Sequence, residues 1–127
     1  MQINFMQKAV ELAKVNTKGG PFGAVIVKNG QIIASGVSER ITRNDPTAHA
    51  ELLAIREAAQ RLNSPNLEGC EIYASGEPCS MCMSAIYWAN MKAVYFAEAM
   101  EGQTRYIYDE LAKEHDDRSI FMRQIKP

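Results

Sequence analysis

Cysteine is scarce in this chain, with three in 127 residues, and histidine scarcer, with two. The odd trio Cys70, Cys79 and Cys82 argues against a disulfide scaffold and makes a Cys-x-x-Cys pair a metal or redox site instead. Long apolar runs are missing too: none approaches the roughly 18 residues of a spanning helix, and MQINFMQKAVELAKV is broken by Lys8, Glu11 and Lys14. A soluble, cytoplasmic protein without membrane contact is expected. Charge of one sign is not in excess, 14 basic residues facing 15 acidic ones for a net −1, so no global field draws the chain to nucleic acid. Repeats, low-complexity stretches and linkers are absent, which leaves residues 1–127 as one domain. What is present, 46% hydrophobic and 23% charged residues, is an ordinary globular balance that supports one core.

Periodicity predicts alternating elements. Ile3, Met6, Val10 and Ala13 recur at helical spacing over the first 15 residues, and Gly19-Gly20-Pro21 ends that helix. In FGAVIVKNGQIIASGV, β-branched runs flank Asn29-Gly30, whose tolerance of positive φ predicts a hairpin with strands over 22–28 and 31–37. Asp45-Pro46 looks like an N-cap followed by a first-turn proline, opening a helix over 46–61. NSPNLEG is a loop, CEIYAS a strand, 78–89 a helix, KAVYFA a strand, TRYIYDELAKEH a helix and SIFMRQI a closing strand. This order, αββαβαβαβ, predicts a three-layer αβα sandwich with one mixed five-stranded sheet. The later strands are parallel through right-handed crossovers, and the second hairpin strand is antiparallel at an edge.

The chemistry-bearing residues cluster at two predicted helix starts, where ligands of open α/β sheets gather. His49 and Glu51, two apart, point about 200° apart on a helix, so they cannot both hold one ion and need different roles. Cys79 and Cys82, three apart, share a face, and helix N-terminal N–H groups help stabilise their thiolates. His49, Cys79 and Cys82 together suit zinc. Three protein ligands leave a fourth position to water, as in catalytic zinc sites; a structural site wants a fourth ligand. Cys70, in a short strand, and His115, in the charged run KEHDDR, are the candidates for that fourth place, and each has a simpler structural role. Zinc so held lowers the pKa of bound water toward neutrality and supplies hydroxide, and Glu51 is placed to shuttle its proton. Each motif alone is ambiguous: an early helical Glu often only offsets the helix dipole. A thioredoxin-like pair is also possible for the cysteines, but it would leave His49 and Glu51 idle. His-x-Glu followed downstream by Pro-Cys-x-x-Cys is, in combination, the signature of zinc deaminases.

The stretches GGPFGAVIV, NDPTAHAELLAIREA and GEPCSMCMSAIYWA resemble the cytidine deaminase superfamily, in the branch of guanine deaminases and tRNA adenosine deaminases, and look most like its bacterial guanine deaminases. The likeness spans residues 19–97. It implies zinc on His49, Cys79 and Cys82, Glu51 as proton shuttle, and strand order 2-1-3-4-5. The implied reaction is hydrolytic loss of an exocyclic amine beside a ring nitrogen, best exemplified by guanine going to xanthine and ammonia. It further implies a base pocket with Phe22 and Trp88 as aromatic walls and the Ala50 N–H as a donor, and a homodimeric assembly. Ser38 stands where family members carry a substrate-contacting Asn, and Gly76 where a bulkier residue is usual. The family's acid after the fourth strand aligns near Thr104, with Glu101 and Asp109 nearby, and its C-terminal helix has no counterpart before Pro127. Two alternatives stand beside guanine deamination: a tRNA adenosine deaminase acting on the anticodon loop, and a non-catalytic, zinc-stabilised binding module. An intact Glu51 speaks against the latter.

Overall fold

Asn29 and Gly30 adopt φ of 52° and 76°, and the tight turn they make joins β1 (Gly23–Lys28) to β2 (Gln31–Val37). This computed structural model describes residues 2–127, without the side chains of Gln103 and Thr104. The remaining elements are α1 (Gln2–Val15), α2 (Ala50–Leu62), β3 (Cys70–Gly76), α3 (Ser80–Trp88), β4 (Ala93–Glu98) and α4 (Tyr106–Ala112). The sheet runs β2-β1-β3-β4, with β1 antiparallel to both neighbours and β3 parallel to β4.

Alternation along the strands sends side chains to two cores. Val25, Val27 and Tyr73 pack with Ala9 of α1 on one face, where Tyr73 stacks on Tyr95 at a centroid distance of 4.8 Å. On the other face Ala24, Ile26 and Ile72 meet Ala50, Ala54 and Ala58 of α2 and Ile86 of α3. The layers are therefore α1, sheet, and α2 with α3, as expected of an αβα sandwich. A stripe of alanines lets α2 lie close, and Gly36 lets it lie closer. A Cβ at Gly36 would overlap the Ala50 carbonyl oxygen and come within 2.8 Å of the Ala54 nitrogen. That contact fixes the first turn of α2, and with it the site, against β2.

Three expectations are corrected. The strand that runs against the others is β1, inside the sheet, and not β2 at its edge: β1 is antiparallel to both β2 and β3, so β2 runs the same way as β3 and β4. The sheet has four strands, not five, because SIFMRQI forms no strand. The Arg118 guanidinium donates to the Glu110 and Leu111 carbonyls, and the Ser119 N–H donates to Glu110 Oε1, so the chain leaving α4 is tied to that helix rather than led to the β4 edge. Ile120, Phe121, Met122 and Ile125 stay exposed in consequence. The second helix begins at Ala50, not at Pro46. Asp45 Oδ1 accepts the Thr47 N–H and hydroxyl at 2.8 Å each, so it caps a local turn instead of a helix.

Candidate active site

His49 and Cys79 occupy equivalent places, each the residue before the first turn of a helix with extended backbone: φ −77°, ψ 152° at His49 and φ −69°, ψ 173° at Cys79. Neither side chain caps its own helix, so both are free to turn toward each other. Cys82 projects from the first turn of α3 to join them. His49 Nδ1 lies 3.6 Å from Cys79 Sγ and 3.6 Å from Cys82 Sγ, and the two sulfurs are 3.7 Å apart. Zinc bonds of about 2.3 Å to sulfur and about 2.0–2.1 Å to nitrogen give tetrahedral edges of about 3.8 Å between sulfurs and about 3.5–3.6 Å between sulfur and nitrogen. The triangle has the dimensions of one face of a zinc tetrahedron. Among the described residues this is the one cluster of three or more metal-type ligands. Cys70 opens β3, at the opposite end of the strand that leads to Cys79, and His115 faces Asp116 at 3.1 Å on the surface.

The donors are electrostatically matched to a cation. The Cys79 thiol is lowered to about 4, first by the hydrogen bond it shares with Cys82 and further by His49 beside it. Cys82 moves the opposite way, pushed up by that same hydrogen bond, by burial and by the charge of Glu51. The two sulfurs thus share one hydrogen bond, which is why their thiols shift in opposite directions. A bound metal removes the proton of that bond, since coordinating thiols are deprotonated outright. His49 is raised, chiefly by its hydrogen bond to Cys79.

Glu51 is the second residue of α2 and is 8% exposed. Burial raises its pKa, and the Cys79 thiolate adds to the effect. It opens onto a cavity of about 600 Å³ lined also by Phe22, Ser38, His49, Ala50 and Cys79. Helical geometry is not what separates His49 from Glu51, as expected from spacing. His49 lies outside the helix, and its extended backbone turns it to the cysteines.

Three of the four residues expected to meet a base line this cavity: Phe22, Ser38 and Ala50. Ser38 is buried, and its N–H donates to the Phe22 carbonyl at 3.1 Å. Trp88 is not among the lining residues. It ends α3 six residues beyond Cys82, about 9 Å along the axis and turned well away from it, and is 85% exposed. The position near Thr104 lies outside the described side chains, and Glu101 and Asp109 do not line the cavity. Reasoning from sequence missed Arg40, Glu77, Glu98 and Met100, which do. Asn16 is another omission: its Nδ2 donates to the Gly20 and Ser38 carbonyls at 2.7 and 2.8 Å and holds the loop that carries Ser38. The signal available for Glu98 was its place at the carboxyl end of a parallel strand.

Residues 1–98 match the family described as the cytidine and deoxycytidylate deaminase zinc-binding region. The chain is 48% identical to the guanine deaminase of Bacillus subtilis over 130 residues, covering 95% of this chain and 83% of that protein. A crystal structure of guanine deaminase from Bacillus subtilis superposes with a TM-score of 0.93 at 44% identity, over 98% of this chain and 85% of the other. A tRNA-specific adenosine deaminase of Aquifex aeolicus is 45% identical over 95 residues, covering 73% of this chain and 63% of its own length, so the chain spans less than two thirds of that relative. With the ligand triangle and the fold in agreement, the chain belongs to the zinc-binding cytidine and deoxycytidylate deaminase family.

Proposed function

We propose that this protein hydrolyses guanine to xanthine and ammonia, with zinc on His49, Cys79 and Cys82 and with Glu51 as proton carrier. The observation that carries this is Glu51: a buried carboxyl with a raised pKa, in the same cavity as a three-ligand metal centre. Zinc, when bound, supplies the Lewis acidity that makes water nucleophilic near neutral pH. Glu51 would take one proton from the attacking water and pass it to the ring nitrogen beside the reacting carbon; it would then take the second proton from the oxygen newly bonded to that carbon and deliver it to the amine, which leaves as ammonia while a carbonyl remains. The first N–H groups of a helix have no intrahelical partner, so the Ala50 N–H at the head of α2 is a donor for the base. Phe22 offers its ring face, and Ser38 stands at the wall where a longer amide side chain is usual.

Likeness over 83% of the guanine deaminase, against 63% of the tRNA enzyme, favours a free base over an anticodon loop. Ammonia release from zinc-loaded protein tests this over guanine, adenine, cytosine, their nucleosides and a tRNA anticodon stem. Turnover of guanine is expected; turnover of the stem alone would move the assignment to tRNA, and silence from a fully loaded protein would leave a binding module.

Homodimerisation belongs to the same proposal. Tyr87, Trp88 and Phe96 are exposed, as are Ile120, Phe121, Met122 and Ile125 beyond α4, and exposed large apolar side chains of this kind suit an interface between copies of the chain. Light scattering at micromolar concentration should return twice the chain mass, and a monomer there refutes the dimer. A cytoplasmic setting, which keeps thiols reduced, suits the ligand set.

A further inference from the structure

Phe22, Gly76 and Glu98 form a row across the ends of three adjacent strands. Gly76 pairs with Glu98 in the parallel ladder of β3 and β4, and two residues beyond Ala24–Ala74 the antiparallel register of β1 and β3, continued, brings Phe22 opposite Gly76. Ala24, Ile72 and Val94 of the same strands pack into the core under α2 and α3, so alternation points this row to the face that carries the metal ligands. Neighbouring strands are about 4.8 Å apart, which sets Phe22 and Glu98 about 10 Å apart with Gly76 between them. Gly76 contributes only backbone, and the nearest atoms to a Cβ placed there are those of the Phe22 ring at 3.7 Å. All three residues line the cavity that holds Glu51 and Cys79. The opening is thus a slot with an aromatic ring at one side, a carboxylate at the other and bare backbone as its floor.

Of the cavity's three carboxylates, two have other work. Glu51 is buried at the metal ligands, and Glu77 Oε1 accepts the Met100 N–H at 2.9 Å. Glu98 makes no side-chain hydrogen bond or ion pair among the described residues, while its carbonyl accepts the Glu77 N–H at 2.8 Å and anchors its backbone. A rigidly held strand end therefore presents an uncommitted acceptor to the slot.

We propose that Glu98 is a specificity residue that accepts a ring N–H of a purine base, and that Gly76 lacks a side chain so that the base can lie across it between Phe22 and Glu98. This role rests on purine deamination at the site. The ligand it selects is a purine with an unsubstituted ring nitrogen, such as guanine.

Two readouts test it on the zinc-loaded protein: kcat and KM for guanine, and calorimetric binding of hypoxanthine, which has the ring N–H groups but no amine to lose. Glu98→Ala should lower kcat/KM and weaken hypoxanthine binding by about 10- to 100-fold, the range for a hydrogen bond to a charged group, with the change falling mainly on KM. Glu98→Gln, whose carbonyl still accepts, should recover part of both. One N-methylated hypoxanthine should bind wild type as weakly as hypoxanthine binds Glu98→Ala, and should be indifferent to that substitution. Gly76→Leu should lose both readouts with zinc retained, and Gly76→Ala, whose methyl group would stand on the floor of the slot 3.7 Å from the Phe22 ring, should lower both by a smaller factor. Changes within about twofold on Glu98→Ala in both readouts, on the same scale, would overturn the role. Equal losses across every N-methyl derivative, or no binding of hypoxanthine to wild type, would do the same. Glu98-dependent hypoxanthine binding without ammonia release from guanine would refute guanine deamination instead and leave Glu98 standing.

Discussion

Glu51→Gln separates chemistry from metal holding more cleanly than any other substitution in this chain. Gln keeps the size of the side chain and loses the proton that can be passed on. Proton transfer by a positioned side chain contributes about 10²- to 10⁴-fold in rate, so kcat should fall by that factor, equivalent to about 2.7–5.4 kcal/mol at 1.36 kcal/mol per decade. Stability should move the other way or not at all. Glu51 is 8% exposed, and burial is the main cause of its raised pKa, so its ionised form is a cost to the folded state that a neutral amide avoids. The measurements are ammonia release at saturating guanine, zinc per chain by atomic absorption, and the urea midpoint. A fully zinc-loaded Glu51→Gln protein with kcat within tenfold of wild type would refute the proton-carrier role. Loss of zinc would show that Glu51 helps hold the metal, contrary to the three-ligand triangle.

Three further outcomes follow from the packing and electrostatics. After chelation, iodoacetamide should modify Cys79 first, because it is half-buried with a thiol lowered to about 4, whereas Cys70 and Cys82 are buried and raised; zinc should protect Cys79, and earlier labelling of Cys70 would contradict the site. Gly36→Ala should destabilise by about 1–3 kcal/mol, the usual range for overpacking, and should lower activity as well, since the added Cβ displaces the first turn of α2; an unchanged urea midpoint would show that α2 is not seated by that contact. The Glu110 carboxyl is held at about 2, below its ordinary 4.5, first by Lys113 and then by Ser119. A depressed carboxyl pKa adds stability above its unfolded value that is lost as pH falls through the folded one. Hydrogen exchange at the Ser119 amide should therefore be slower in wild type than in Glu110→Gln at pH 6, and this difference should shrink from about pH 4.5 toward about 2. A difference that persists at pH 2 would mean the carboxylate is not what orders the segment.

Much of the architecture was legible along the chain because it depends on neighbours in sequence. Asn29-Gly30 makes its turn through its own backbone preference, and β2 matches its predicted span of 31–37. The errors arose where a local signal had two uses. Asp45 is as good a cap for a short turn as for a helix, and only the close seat of Ala50 on Gly36 decides where α2 starts. SIFMRQI carries a strand's composition, but strands form by pairing, and Arg118 and Ser119 tie the segment to α4 instead. Trp88 belongs to a stretch shared with relatives, yet the length of α3 carries it away from the cavity.

The sequence by itself determined the donor set and the chemistry it permits. One imidazole, two thiols three residues apart and a nearby carboxyl are matters of residue type and local spacing, which any fold must respect. Only the tertiary structure decided that His49, just before a different helix, stands within 3.6 Å of both sulfurs, and that Phe22, Gly76 and Glu98 end in one row. Those distances depend on sheet register and on how closely α2 and α3 approach the strands, quantities set by packing between residues far apart in the chain.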